Sequence, residues 1–284
     1  MKVALVHYWL TGMRGGEAVL EALCDLYPDA DIFTHVVDPE SISARLRQHE
    51  IKTTFIQKLP FAKRAYQSYL PFMPLALESL DLSEYDLVIS SESGPAKGVI
   101  VRPDGLHICY CHSPMRYIWD MYHEYRQSVG WLKRMLMAPL SHYLRQWDVT
   151  TASRVDEFVV NSRFVGQRVA RYYHRGSTVV HPPVDLQRFE PSDSHEDFYL
   201  MVGQLVPYKR ADLAVEAFSR LDRRLVVVGE GEMKQDLERR AGSNVEFAGW
   251  CSDEEVDDYY RRCRALIFPG CEDFGIVPVE AMAS

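Results

Sequence analysis

The sequence offers little to a membrane-spanning, disulfide-stapled or nucleic-acid-binding reading. It has no run of about 18 apolar residues, the length a transmembrane helix needs. Its start, MKVALVHYWL, has neither the charged n-region nor the long apolar stretch and small-residue cleavage site of a secretory signal. The expected location is therefore the cytoplasm. Acidic residues outnumber basic ones, 40 to 32, giving a formal charge of −8, and nucleic-acid partners call for the opposite balance. Six cysteines lie scattered without a Cys-x-x-Cys pair or a Cys/His ligand spacing, so neither a disulfide framework nor a zinc site is implied. In the run ICYCH, strand alternation puts Cys109 and Cys111 on one face and His112 on the other, which works against a shared metal. Low-complexity tracts are absent, as is any period of about 20 to 50 residues, and solenoids and propellers go with them.

What is present is an ordinary globular composition, 47% hydrophobic and 25% charged over 284 residues, enough for one large domain or two medium ones. Short runs rich in β-branched and aromatic residues recur: KVALVHY (2–8), DIFTHVV (31–37), DLVIS (86–90), HICYCH (107–112), EFVVNS (157–162), STVVHP (177–182), FYLMVG (198–203), RLVVVG (224–229), NVEFAG (244–249) and ALIFPG (265–270). Continuous apolar runs of this length read as strands buried on both faces of a parallel sheet. Amphipathic helical segments lie between many of them, EAVLEALCDLY and RADLAVEAFSRL among them. Strand alternating with helix implies an α/β class of doubly wound sheets. The pattern breaks near residue 185 in the Pro-, Asp- and Ser-rich VVHPPVDLQRFEPSDSHEDF, then restarts. Two Rossmann-like domains are expected, 1–185 and 186–284. The second is expected to be incomplete, because only a short tail follows ALIFPG where about five or six strands would be usual.

Four stretches carry candidate chemistry. The first strand-to-helix turn, HYWLTGMRGGEAVLEAL, holds Gly15 and Gly16 just before a helix, where amides approach an anion closely; a tight turn is the plainer alternative, and the G-x-G-x-x-G spacing of a dinucleotide site is not met. Gly229 and Gly231 in VVVGEGEMKQDL lack the third glycine and read as a turn. In MVGQLVPYKRADLAVEAF, Lys209 and Arg210 precede a helix and suit a diphosphate, or are simply solvated. In GCEDFGIVPVEAMAS, Glu272 and Glu280 are separated by seven residues, with Gly275 and Pro278 in the turn between. Two carboxylates lining one cleft suit sugar hydroxyls, because ionised oxygens make the stronger hydrogen bonds; an unrelated surface pair is the alternative.

Taken in order, the Gly15–Gly16 loop, HSPMRYIWD, VVNSRFV, HPPVDLQRF, GQLVPYKRADLAVEAF, VVVGEGE and EDFGIVPVEAMAS resemble glycosyltransferase family 4. These are retaining transferases of the GT-B fold, two Rossmann-like domains facing a cleft, and the resemblance is greatest to bacterial mannosyltransferases of surface-polysaccharide pathways. The resemblance implies that the N-terminal domain serves the acceptor and the C-terminal one the nucleotide sugar, here C-terminally truncated. It also implies that Glu280 holds the donor ribose, that Glu272 contacts the transferred sugar, and that amides of Phe274, Gly275, Ile276 and Val277 approach the donor. Lys209 would reach the diphosphate, with Gln204 where the family usually has arginine, so that Arg210 either compensates or the diphosphate is held less strongly. Gly15 and Gly16 would cap the phosphates or meet the acceptor, and His112 would lie beside the sugar, with a buried structural histidine as the alternative.

The implied reaction transfers a hexosyl group, with mannose from GDP-mannose the expected donor, to a saccharide or lipid-linked saccharide with retained configuration. No cofactor or metal is expected, since family members generally dispense with one and no Asp-x-Asp closes a strand. Two basic, aromatic segments, SVGWLKRMLMAPLSHYLRQWD and IQKLPFAKRAYQSYLPFMPLAL, suit either the inner-membrane surface or the wall of an acceptor cleft. The competing readings are a non-catalytic sugar-nucleotide-binding or scaffold fragment and an NAD enzyme, the latter disfavoured by its glycine spacing.

Overall fold

The computed structural model describes residues 1–284, the side chain of Ser128 excepted. It divides into two compact units, Met1–Pro183 and Val184–Ser284.

The first unit is built on seven strands: β1 (Val3–His7), β2 (Asp31–Thr34), β3 (Ile51–Thr53), β4 (Leu87–Glu92), β5 (Leu106–Cys111), β6 (Glu157–Val160) and β7 (Thr178–Val179). They form one sheet in the order β3-β2-β1-β4-β5-β6-β7, and every neighbouring pair is parallel. The central strands β1 and β4 are buried along their whole length, whereas the edge strand β7 is exposed. Six helices belong to this unit: α1 (Gly15–Leu26), α2 (Ala62–Ala65), α3 (Met73–Glu78), α4 (Tyr122–Ser128), α5 (Trp131–Thr151) and α6 (Arg163–Tyr173).

Alternation along the strands decides which helix covers which face. Leu5, Ile32 and Ile89, paired across β2-β1-β4, point to the face where α1 lays down Leu20 and Cys24. Ala4, Val6, Phe33 and Val88 point to the other, against Leu77 of α3 and Tyr85. Farther along the sheet, Cys109 and Cys111 share one core with Phe158 and Val160 of β6 and Val165 and Val169 of α6. Both thiols are core groups, and no cluster of three or more metal-ligating side chains occurs among the described residues.

One polar group is sealed inside this unit. Lys97, Glu92 and Asp148 are fully buried, and the Lys97 ammonium donates to Glu92 Oε1 at 2.9 Å and pairs with Asp148. Asp148 Oδ2 also accepts from Trp119 Nε1 at 2.7 Å and the Tyr173 hydroxyl at 2.9 Å, while the Lys97 amide reaches Glu92 Oε2 at 2.7 Å. Burial pushes the Glu92 carboxyl up, and the two acids keep Lys97 charged. The group ties the end of β4 to α5 and α6.

The second unit contains β8 (Phe198–Val202), β9 (Arg224–Val228), β10 (Val245–Gly249) and β11 (Ala265–Leu266), all parallel in the order β10-β9-β8-β11. Its helices are α7 (Ala211–Phe218), α8 (Lys234–Arg240), α9 (Asp253–Arg262) and α10 (Ile276–Ala283). Met201, Leu225 and Val227 face α7 and α8, whereas Leu200, Val226 and Val228 face α9 and α10. Helix α9 starts at a capping box read directly from S-x-x-E: Ser252 Oγ accepts the Glu255 amide at 3.3 Å, and Glu255 Oε2 accepts the Ser252 amide at 2.7 Å. Each sheet is doubly wound, with helices on both faces.

Candidate functional site

In a doubly wound sheet, ligands bind beyond the carboxyl ends of the strands where the winding reverses. In the first unit that point lies between β1 and β4, the neighbours that are not consecutive in sequence. The register places His7 opposite Ser91, and His112 follows the last residue of β5. Ser91 Oγ lies 3.1 Å from His7 Nδ1 and 2.9 Å from His112 Nε2. On the far side of His7, Nε2 lies 3.6 Å from Glu17 Oε1. His7, Ser91 and Glu17 are buried, and His112 is half-buried. Burial, with His7 close by, pushes His112 down to about 3, so the ring is neutral at physiological pH.

Gly15 and Gly16 open α1 itself, which therefore starts two residues ahead of Glu17. Their amides belong to the first turn, which has no intrahelical acceptor. Gly15 has open space beside it; at Gly16 a Cβ would collide with the Tyr8 hydroxyl, so a larger residue there would have to displace that ring. Glu17 turns back to accept the Arg14 amide at 3.0 Å.

The segment HSPMRYIWD is pinned at both ends. The His112 amide donates to the Glu92 carbonyl at 2.8 Å, and Asn161 Nδ2 donates to the His112 carbonyl at 3.0 Å. Arg168 of α6 donates to Ser113 Oγ at 3.0 Å and pairs with Asp120 at 2.9 Å. Ser113 and Asp120 thus fix the loop that carries His112.

The second unit reverses its winding between β8 and β11. Lys209 ends a short 3-10 turn after β8, Glu272 lies in the loop after β11, and the two form an ion pair. Gly270 makes this possible, since a Cβ there would press on the Lys209 backbone. Gly229, at φ +132°, packs in the same way against the Gly203 carbonyl, so the ends of β8 and β9 also meet backbone to backbone.

Three other expected residues have these surroundings. Arg210, in the left-handed region at φ 56°, forms a two-point pair with Asp212, Nε to Oδ1 and Nη2 to Oδ2 both at 3.0 Å. Gln204 is exposed. Glu280 is the fifth residue of α10, and its Oε2 accepts the Tyr260 hydroxyl of α9 at 3.1 Å. Burial pushes its carboxyl up. Glu272 and Glu280 therefore hold different partners: the first faces Lys209, the second α9. Gly275, at φ 85°, starts α10 after Phe274. Ile276 and Val277 are its first helical residues, Pro278 its third, so the proline sits within the first turn, where it lacks no hydrogen bond. Val277 turns its side chain into the core.

His7, Glu17 and Ser91 were not singled out by motif. The signal available was the polar turn at the ends of two apolar strands, VALVH and LVISSE, since buried polar residues there need partners.

Comparison with known proteins agrees with this architecture. Residues 185–284 match the family described as glycosyl transferases group 1. The chain is 25% identical over 275 residues to the O-antigen chain mannosyltransferase C of Escherichia coli, covering 88% of this chain and 67% of that one. It is 28% identical over 152 residues to a GDP-mannose-dependent alpha-(1-6)-phosphatidylinositol dimannoside mannosyltransferase of Mycobacterium tuberculosis, covering 47% and 40%. Most of the curated relatives it matches are spanned by the chain over only 35% to 40% of their length. Among solved structures, Anabaena HepE in complex with UDP-glucose superposes with a TM-score of 0.67 at 16% identity, covering all of this chain and 78% of that one. Residues 13–188, more than half of the sequence, match the model of Glycosyltransferase Family 4, and the chain belongs to that family.

Proposed function

We propose that this chain moves a hexosyl group from a nucleoside diphosphate sugar to an acceptor hydroxyl with retained anomeric configuration. The observation that carries the reading is the Lys209–Glu272 pair at the winding reversal of the second unit: a cation suited to a diphosphate beside a carboxylate suited to sugar hydroxyls. In the transfer, the bond from the anomeric carbon to the β-phosphate oxygen breaks and a bond to the acceptor oxygen forms on the same face. The departing phosphate oxygen takes the acceptor proton. Negative charge grows on that phosphate, and Lys209, with the first-turn amides of α10 (Ile276 and Val277, after Phe274 and Gly275), stabilises it. Arg210 is committed to Asp212 and adds no fork of its own, and Gln204 adds no charge. His112 stands beside the sugar, Glu280 holds the ribose, and the Gly15–Gly16 amides face the phosphates or the acceptor. The mannosyltransferase relatives support mannose, and GDP-mannose as donor.

Calorimetric titration of the chain with GDP-mannose and UDP-glucose tests this. Heat with GDP-mannose that is strongly reduced in Glu280→Ala is expected, and absence of heat with every sugar nucleotide overturns the reading.

The acceptor is a saccharide or lipid-linked saccharide of a polysaccharide pathway, met by a cytoplasmic protein at the inner face of a membrane. Supporting this, Trp131, Leu132, Met135 and Leu136 line one exposed stripe of α5 beside Lys133. Arg134 serves structure instead, donating to the carbonyls of Arg126 at 3.1 Å and Gln127 at 3.4 Å. No helix among the described residues is long and apolar enough to cross a membrane. Flotation with anionic vesicles should lose the Trp131→Ala, Lys133→Ala double variant; equal flotation with the wild type removes the membrane from the proposal.

A further inference from the structure

The row Glu17, His7, Ser91, His112 joins α1, β1, β4 and the turn after β5 through one hydroxyl. Ser91 has a single proton. Its oxygen lies within hydrogen-bond reach of a nitrogen on each imidazole, and this buried hydroxyl has no other acceptor among the described residues; to leave its proton unpaired would cost free energy, so it donates to one ring and accepts from the other. Which way round is set at His7. The 3.6 Å from Glu17 Oε1 to His7 Nε2 is an ion-pair distance rather than a hydrogen bond. The carboxylate therefore acts as a charge, favouring a proton on the nitrogen that faces it and opposing a lone pair there.

With its proton on Nε2, neutral His7 presents a bare Nδ1. Ser91 donates to that nitrogen, so Ser91 Oγ must accept Nε2–H from His112, and His112 is left with a bare Nδ1. When His7 takes a second proton, at Nδ1, the row reverses. His7 then donates to Ser91, Ser91 donates to His112 Nε2, and His112 carries its proton on Nδ1. Among the described residues Nδ1 of His112 has no hydrogen-bond partner, so this nitrogen is the one available to a ligand.

We infer that His7 is a positioning residue whose protonation, biased by Glu17 and relayed through Ser91, sets whether His112 accepts or donates a hydrogen bond at the sugar. The word sugar rests on the proposed function; the relay itself does not. Neutral His7 gives the accepting form, which orients a sugar hydroxyl as donor, and acidification gives the donating form. His112 stays neutral throughout, because burial and the neighbouring His7 hold it at about 3. Its tautomer changes, not its charge.

The other ionisable groups around the row do not titrate in its place. Tyr8, whose ring centroid is 4.1 Å from that of His7, is pushed above the ordinary phenol range by burial. Tyr110, 5.0 Å from His112, is pushed up to about 12. The Glu92 carboxylate faces Lys97.

The experiment is a pH titration of the full chain, ¹⁵N-labelled at histidine and free of donor, with imidazole nitrogen shifts reporting each tautomer. In the wild type, His112 is expected to pass from the Nε2–H to the Nδ1–H tautomer at the same midpoint at which His7 gains its proton. In Ser91→Ala, His7 should still titrate while His112 no longer follows. A His112 that keeps one tautomer through the His7 midpoint overturns the inference, and so does a switch preserved in Ser91→Ala. The wild-type titration needs no substitution and decides the matter even if the variant does not fold. Donor is then added: a relay that switches as expected in a protein that binds no sugar nucleotide leaves the inference standing and sinks the proposed function alone.

Discussion

Two fully buried histidines of the first unit make its stability fall steeply with acid. His35 places Nδ1 3.3 Å from Thr54 Oγ1 and Nε2 3.2 Å from the Pro95 carbonyl. His107 places Nε2 2.9 Å from Ser90 Oγ and Nδ1 3.1 Å from the Arg154 carbonyl. Both are neutral rings in dry surroundings, and burial pushes each down to about 4. In the unfolded chain each titrates at about 6.5. Between those values the unfolded state holds a proton that the folded state refuses. Stability is thus fully present above pH ~6.5 and is lost as pH falls towards ~4, at about 1.4 kcal/mol per pH unit for each ring. From pH 7 to 5 the two together remove roughly 3 to 4 kcal/mol, a large part of the ~5 to 15 kcal/mol typical of a domain. Glu92 and Glu280, pushed up by burial, act in the opposite sense, so the informative quantity is the difference between variants. Urea unfolding at a series of pH values, followed by tryptophan fluorescence, isolates the first unit, because four of the five tryptophans, Trp9, Trp119, Trp131 and Trp147, lie in it. His35→Gln and His107→Gln should each reduce the pH slope by about 1.4 kcal/mol per unit whatever they do to stability at pH 7. Slopes that match the wild type in both variants would refute the reasoning.

Three further outcomes follow from the same geometry. Lys97→Met leaves Glu92 and Asp148 buried without their cation and should destabilise the first unit by about 3 to 5 kcal/mol in urea melts, with partial recovery in the Lys97→Met, Glu92→Gln double variant. Gly229→Ala drives a Cβ into the Gly203 carbonyl at a backbone angle other residues avoid, so the second unit should lose at least about 2 kcal/mol by calorimetry; a loss below half that would mean the two loops separate easily. Lys209→Ala should weaken donor binding about 10- to 100-fold by titration, the range expected for one charge-assisted contact, while Arg210→Ala, whose guanidinium is held by Asp212, should weaken it much less.

The strands were legible because a parallel sheet buries both faces: VALVH and LVISSE are buried at every position, and RLVVV at every position after Arg224. The strand β3, IKT, was not, since a three-residue edge strand with Lys52 at its centre has no apolar run to see. The stretch from Phe55 to Phe72 was equally opaque: much of it is 3-10 turn, which follows neither the period of a helix nor that of a strand. Within the candidate site, Lys209 and Glu272 were each marked by their motifs, but their pairing depends on β11 lying beside β8, a neighbour relation no local pattern encodes. The spacing of Glu272 and Glu280 left a shared cleft and an unrelated pair both open; what it could not supply was the Tyr260 hydroxyl of α9 as a partner of Glu280. The His7–Ser91 contact was hidden for a similar reason, because β1 and β4 are adjacent in the sheet and 84 residues apart in the chain.

The Lys209–Glu272 pair has one more consequence under the proposed function. Without donor, the ammonium and the carboxylate neutralise each other, so an arriving diphosphate does not fill a vacant cationic site but displaces an anion already there. A sugar-bearing nucleotide gives the released glutamate hydroxyls to hold, and the displacement is compensated at both ends. The nucleotide left after transfer has no sugar to offer, and Glu272 then competes with it for Lys209. The enzyme would thus discriminate donor from spent product with a single internal ion pair, favouring release of the nucleotide once its sugar has gone.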